Sequence, residues 1–174
     1  SKTSGKKQVA VVQIMQHGSL YAANLGMIDW LMVKGYGPDK VEVDQQNAQG
    51  DQSNLKSITA RFKSNKPDII FGISTPATQA VANEIKDIPI VGCAITDIEP
   101  AKLVKSNQKP ETNVTGVNDR GPVEKQVDMG KVFLPNAKTM GLLYCSSEVN
   151  SEIQANQAKK HAASIGLSVV EKTV

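Results

Sequence analysis

The chain has 174 residues, 40% hydrophobic and 21% charged, and its 20 Lys and Arg against 17 Asp and Glu give a net charge of +3. That composition excludes a disordered chain and suffices for one sizeable core or two small ones. The lysines are scattered and aromatic residues make up only 4%, which argues against a nucleic-acid partner: there is neither a basic block nor a row of stacking rings.

Residues 1–7, "SKTSGKK", read as a flexible leader of small, polar and basic side chains. Gln8 to Met15 is a valine-rich apolar run, the pattern of a strand covered on both faces. Ser19 then offers a helix cap. From Leu20 to Lys34 apolar residues recur at helical spacing, and Gly35 supplies the stop. A short strand is predicted at Val41 to Asp44, followed by a helix that Asp51 caps and Pro67 ends, and then a strand from Asp68 to Ile73. In "STPA", Thr75 as N-cap with Pro76 at the first helical position predicts a helix to Lys86.

"IPIVGCAI" is a fourth strand and Val114 to Val117 a fifth. Pro122 opens an amphipathic segment through Phe133. Thr139 to Tyr144 is a sixth strand, Ser151 to Ile165 a helix closed by Gly166, and Leu167 to Val174 a seventh strand. Such alternation predicts an α/β protein of doubly wound parallel sheets with right-handed crossovers. The stretch from Asp97 to Val117 carries prolines, lysines and no helical period, so the lobe boundary is placed there. The first lobe covers 8–117 with four strands before that stretch. The second covers 118–174 and has two, too few to cover its helices, so it reads as incomplete or as completed by an element exchanged with a second molecule in a dimer.

In open parallel sheets ligands bind outside the carboxyl ends of the strands, where helix N-termini aim free N–H groups. Topology therefore singles out the residues after each strand: His17, Gly18 and Ser19; Ser74, Thr75, Pro76 and Ala77; Ala94, Thr96 and Asp97; Ser146, Ser147, Glu148 and Asn150. "STPA" is the best anion seat among them, because the N–H groups of Ala77 and Thr78 are expected to stay open to a carboxylate or phosphate. Thr75 acting only as a helix cap is the plainer reading. Asp97 and Glu148 suit a ligand amine, or simply cap helices and face water. No glycine-rich phosphate motif accompanies these residues, so no nucleotide or other cofactor is expected.

His17 is a ligand partner or a packing histidine; with only His161 for company and no G-x-S-x-G elbow, an enzyme is not indicated. Cys93 and Cys145 lack a C-x-x-C pair or a histidine cluster, which leaves no metal site and suggests buried structural thiols. Asn113 in "NVT" matches a glycosylation acceptor at a strand start, a match too short to carry weight.

Taken as an ordered set, "AQGD", "STPATQAVAN", "KDIPIVGCAITD", "TGV", "LPNAK" and "SSEVNS" resemble the substrate-binding proteins of ABC importers, and in particular the family that includes bacterial tryptophan- and tyrosine-binding lipoproteins. The resemblance runs from about Lys7 to the last residue. It implies a type I periplasmic-binding-protein-like fold, in which two α/β lobes close on a small ligand and present it to an ABC permease. It further implies that Ser74, Thr75 and Ala77 hold a ligand carboxylate, that Thr96 and Asp97 line the same lobe, that His17, Ser19 and Leu20 form the first-lobe loop, and that Ser147 and Asn150 come from the second lobe. An aromatic or hydrophobic amino acid is the expected ligand. Extracytoplasmic location and a lipid anchor are implied by the resemblance alone. The alternative within the same architecture is the small-molecule-sensing core of a transcriptional regulator, which needs a DNA-binding headpiece that the leader before Gln8 is too short to form.

Overall fold

A computed structural model describes residues 5–174, so the expected leader lies partly outside the described residues. Lys7 already belongs to the first strand, its N–H bonded to the Lys40 carbonyl at 2.9 Å. The chain divides into two compact units, one ending at Asp119 and the other running from Arg120 to Val174.

The first unit is a sheet with β1 (Lys7–Gln13), β2 (Val41–Asn47), β3 (Ile69–Ile73), β4 (Ile90–Ile95) and β5 (Val114–Asn118) in the order β2-β1-β3-β4-β5. All four pairings are parallel. Three helices connect the strands: α1 (Gly18–Val33), α2 (Gln52–Asn65) and α3 (Thr75–Glu84). The order reverses between β1 and β3, the point at which the crossovers part and leave a crevice beyond the strand ends.

The reading of four strands for this unit is corrected to five. Val114–Asn118 joins β4, with Gly92 opposite Gly116. A Cβ on Gly116 would fall 2.3 Å from the Gly92 carbonyl oxygen, so glycine is what lets the two backbones approach. Strand alternation sends Val9, Val11, Val41 and Ile73 to one face, against Leu20, Ala23 and Met27 of α1. Helices α2 and α3 cover the other face and bury Leu55, Ile58, Phe62 and Val81.

Asp51 caps α2 as its position in the sequence implies, its carboxylate accepting from both the Ser53 N–H and the Ser53 hydroxyl at 2.6 Å. Those bonds, the hydroxyl's first, hold the Asp51 pKa below the ordinary carboxylate value. A depressed folded-state pKa contributes stability that is present above the unfolded value and lost as pH falls through the folded one. Asp51→Ala is therefore expected to lower the melting temperature at pH 7, and its gap from the parent should narrow as pH falls below the ordinary carboxylate range. Melting curves across that window check it.

Between β4 and β5 the irregular stretch is held down by side chains. Gln79 donates to the Ala101 carbonyl at 3.0 Å, and Ala101, Leu103 and Val104 are buried. Asn113 is structural: its amide donates to the carbonyls of Ile85 and Ile88 at 2.9 and 2.7 Å.

The second unit holds α4 (Val123–Phe133), β6 (Thr139–Tyr144), α5 (Val149–Ser164) and β7 (Ser168–Thr173), with β6 and β7 pairing in parallel. Its core is small: Val123, Val127, Ala158, Ala162 and Leu167. An open, mainly apolar cleft of about 560 Å³ runs past Val127, Leu134, Met140, Leu142 and Ala155. Leu143 and Val170 of the strands stay 69% and 55% exposed. These are core-type side chains with few convergent polar groups among them, so the cleft is incompletely covered core rather than a built ligand site. Cys93 and Cys145, expected as buried structural thiols, are free and only half-buried.

Candidate functional site at the strand ends

Ser74 ends β3 with φ 95° and ψ 158°, a region that only glycine occupies without strain. Its N–H donates to the Cys93 carbonyl at 3.0 Å, which keeps it in the sheet ladder. Its hydroxyl accepts from the Ala77 N–H at 3.4 Å, and its carbonyl accepts from the Thr78 N–H at 3.1 Å and the Thr78 hydroxyl at 2.8 Å.

Ser74, rather than Thr75, is thus the N-cap of α3. Two expectations change as a result. The N–H groups of Ala77 and Thr78 are committed to the cap and not open to an anion. Thr75, 2% exposed, becomes the first helical residue and is released from capping. Since Pro76 carries no N–H, Thr75 supplies the one first-turn donor outside the cap.

Next to Ser74, Ala94 takes φ 53° within β4, where the pairing with β5 slips between Gly92 and Ile95. Two non-glycine residues with positive φ therefore stand side by side at adjacent strand ends. Asp97, 2% exposed, and the half-buried Thr96 follow directly. The Asp97 carbonyl accepts from the Ala101 N–H, and Asn118 at the end of β5 accepts from the Ile98 N–H at 2.8 Å, so the segment is pinned from both sides.

His17 caps α1, its Nδ1 accepting from the Ser19 N–H at 3.3 Å. This corrects the assignment of Ser19 as the cap; Ser19 lies in the first turn and is exposed. Leu20 packs against the Val9, Val11 and Ile73 cluster. At the carboxyl end of β6 in the second unit, the Ser147 hydroxyl lies 3.1 Å from the Cys145 sulfur, and Asn150 donates to Glu148 at 3.2 Å. The Asn150 Oδ1 is buried with no hydrogen-bond partner among the described residues, an acceptor waiting for a donor.

His17, Ser19, Ser74, Thr75, Ala77, Thr96 and Asp97 thus gather at the carboxyl ends of β1, β3 and β4 in the first unit, while Ser147 and Asn150 occupy the corresponding edge of the second. Sequence reasoning missed Gln13, 3% exposed, whose amide donates to the Met15 carbonyl at 2.6 Å. It also missed Asn118. A polar residue closing an apolar strand was the signal available in both cases.

Ser74 offers a test with opposite signs. Ser74→Ala keeps the strained backbone and loses the cap, which is expected to cost about 1 kcal/mol. Ser74→Gly relieves the strain and caps nearly as well, so its stability should equal or exceed the parent's. Urea denaturation of the two variants measures the difference.

A family model described as ABC transporter substrate binding protein matches residues 8–174. A relative named tyrosine-binding protein, from Clostridioides difficile strain R20291, is 43% identical over 176 aligned residues that cover 99% of this chain and 51% of the relative. A Streptococcus pneumonia ABC domain, solved in complex with L-Trp, is 41% identical with a TM-score of 0.91, covering 97% of this chain and 57% of that one. A leucine binding protein from Thermotoga maritima, 15% identical, matches 97% of this chain and 49% of its own at a TM-score of 0.73 and shows the shared type I periplasmic-binding-protein-like fold alone. The chain spans about half the length of these proteins.

Proposed function

The chain belongs to the family of ABC transporter substrate-binding proteins, and from that premise we propose that it serves as the extracytoplasmic receptor for an aromatic amino acid, which it delivers to an ABC permease without chemical change. The observation that carries the reading is Ser74. A serine is held where glycine would be unstrained, and its hydroxyl makes only a long 3.4 Å capping bond, which leaves that oxygen lone-pair and donor capacity for a ligand at the strand ends.

In this reading the ligand carboxylate takes the hydroxyls of Ser74 and Thr75 and the Thr75 N–H, at the positive end of α3. Asp97 faces the ammonium group. On the second unit the candidate ligand groups are Ser147 and the Asn150 Oδ1. The relative named for tyrosine and the neighbour solved with L-Trp support an aromatic side chain in the remaining space. A lipid anchor outside the cytoplasm and an element exchanged with a second copy belong to the same proposal.

Calorimetric titration with the amino acids, run on this chain and on a C-terminally extended version, tests the reading. Tyrosine or tryptophan should bind, and at about 100 times its dissociation constant should stabilise by about 2.7 kcal/mol. Absence of binding by every amino acid to the extended chain overturns it.

A further inference from the structure

His17 stands where α1 wants a cap, and histidine is a poor choice for that work. Serine, threonine, asparagine and aspartate lead at this position, yet the cap here is an imidazole whose Nδ1 accepts from the Ser19 N–H at a long 3.3 Å. Capping alone does not account for a ring.

The same bond decides what the ring can do. A backbone N–H only donates, so Nδ1 must be the nitrogen without a proton, and in the neutral imidazole the proton then sits on Nε2. His17 therefore presents a donor and no acceptor. Because Nε2 lies across the ring from Nδ1, its N–H faces away from α1, beyond the carboxyl end of β1. General-base chemistry, which needs a bare nitrogen turned to the substrate, is removed by the same reasoning.

The ring is held in place as well as oriented. Buried Gln13 donates through its amide to the Met15 carbonyl at 2.6 Å, and the Gln13 and Ile14 carbonyls accept from the N–H groups of Ala48 and Gly50 at 2.9 and 2.7 Å. The turn that leads into His17 is thus braced, although His17 itself is exposed. Leu20, in the first turn of α1, packs against the cluster that includes Ile73, the residue before Ser74. Since β1 and β3 are neighbours in the sheet, the His17 donor and the hydroxyls of Ser74 and Thr75 stand at adjacent strand ends.

We infer that the Nε2–H of His17 donates to the carboxylate of the bound amino acid, a step that rests on the receptor reading above. A carboxylate has about four lone-pair sites, and the two hydroxyls and the Thr75 N–H fill three. It offers acceptors only, which is what a ring with a donor and no acceptor matches. The ammonium group of the ligand offers donors only, so the ring cannot receive it.

Tyrosine, tryptophan and their carboxamides, titrated by calorimetry into the C-terminally extended chain above neutral pH, test the inference, because the amide exchanges one acceptor oxygen for an NH2 donor. His17→Asn keeps a favoured cap and is too short to replace Nε2. It should hold the melting temperature of the unliganded chain at or above the parent's and cut the preference for the acid over the amide about tenfold. His17→Ala should lose the same preference and lower the melting temperature as well. Nitrogen NMR of the two histidines, assigned with His161→Gln, should show the His17 Nδ1 bare and the Nε2 protonated in the ligand-free chain. An unchanged preference in His17→Asn, or a mixture of tautomers, overturns this inference and leaves the receptor reading standing. Failure of both amino acids to bind the parent overturns the two together.

Discussion

Replacing Gly72 by alanine is expected to destabilise the first unit by about 3 kcal/mol, the upper end of what overpacking a close-packed core costs. Gly72 lies in β3 directly beneath α3. A Cβ there would stand 2.4 Å from the Thr78 hydroxyl oxygen, 2.8 Å from the Thr78 Cα and 2.9 Å from its Cβ. Backbone is not free to move aside, so α3 must lift from the sheet. The same shift pulls Thr78 away from the Ser74 carbonyl, which its hydroxyl reaches at 2.8 Å, and so carries a packing defect into the proposed ligand seat. Two neighbours supply the scale. At Gly92 the nearest atom to an added Cβ is the flexible tip of Ile95, and alanine there should cost less. At Gly26, inside α1 with open space around it, alanine should stabilise by about 0.5 to 1 kcal/mol. Guanidinium unfolding of the three variants would show the order, and equal stability of Gly72→Ala and Gly26→Ala would refute the packing argument.

Thr75→Val is expected to weaken ligand binding by about tenfold to a hundredfold, the ~1.5 to 3 kcal/mol of a hydrogen bond to a charged group, while leaving the melting temperature of the unliganded chain near the parent's. Valine keeps the shape of the buried threonine and removes only its hydroxyl. If Thr75 were the cap of α3, that hydroxyl would hold the helix start and the variant would lose stability as well. With Ser74 as the cap, the two effects separate: binding falls and the fold stays. Calorimetry with tyrosine and tryptophan beside a melting curve reads both. Unchanged affinity removes Thr75 from the site, and a large fall in melting temperature restores it to capping.

Much of the fold was legible because the signals are local. Alternating apolar runs and helical periods, punctuated by Asp51, Pro67, Pro76, Pro122 and Gly166, identify strands and helices without knowledge of what lies beside them. The ordered motifs from "AQGD" to "SSEVNS" carried the family. The candidate positions followed from topology, since a parallel sheet exposes a ligand only beyond its strand ends.

What only the tertiary structure decided depends on neighbours distant in sequence. The cap of α3 passes from Thr75 to Ser74 because the Cys93 carbonyl on β4 holds the Ser74 N–H, and the local rule that places proline directly after the cap has no access to that bond. Similarly, the cap of α1 falls to His17, whose ring nitrogen reaches the Ser19 N–H, where sequence preference favours a hydroxyl. The fifth strand joins the first unit because Gly92 and Gly116 meet across β4 and β5, a pairing between segments separated by the irregular stretch. Composition and spacing determined the elements, their order and the candidate edge beyond the strand ends; long-range hydrogen bonds and close backbone contacts decided that the Ser74 hydroxyl caps α3 and that Thr75 is released from capping.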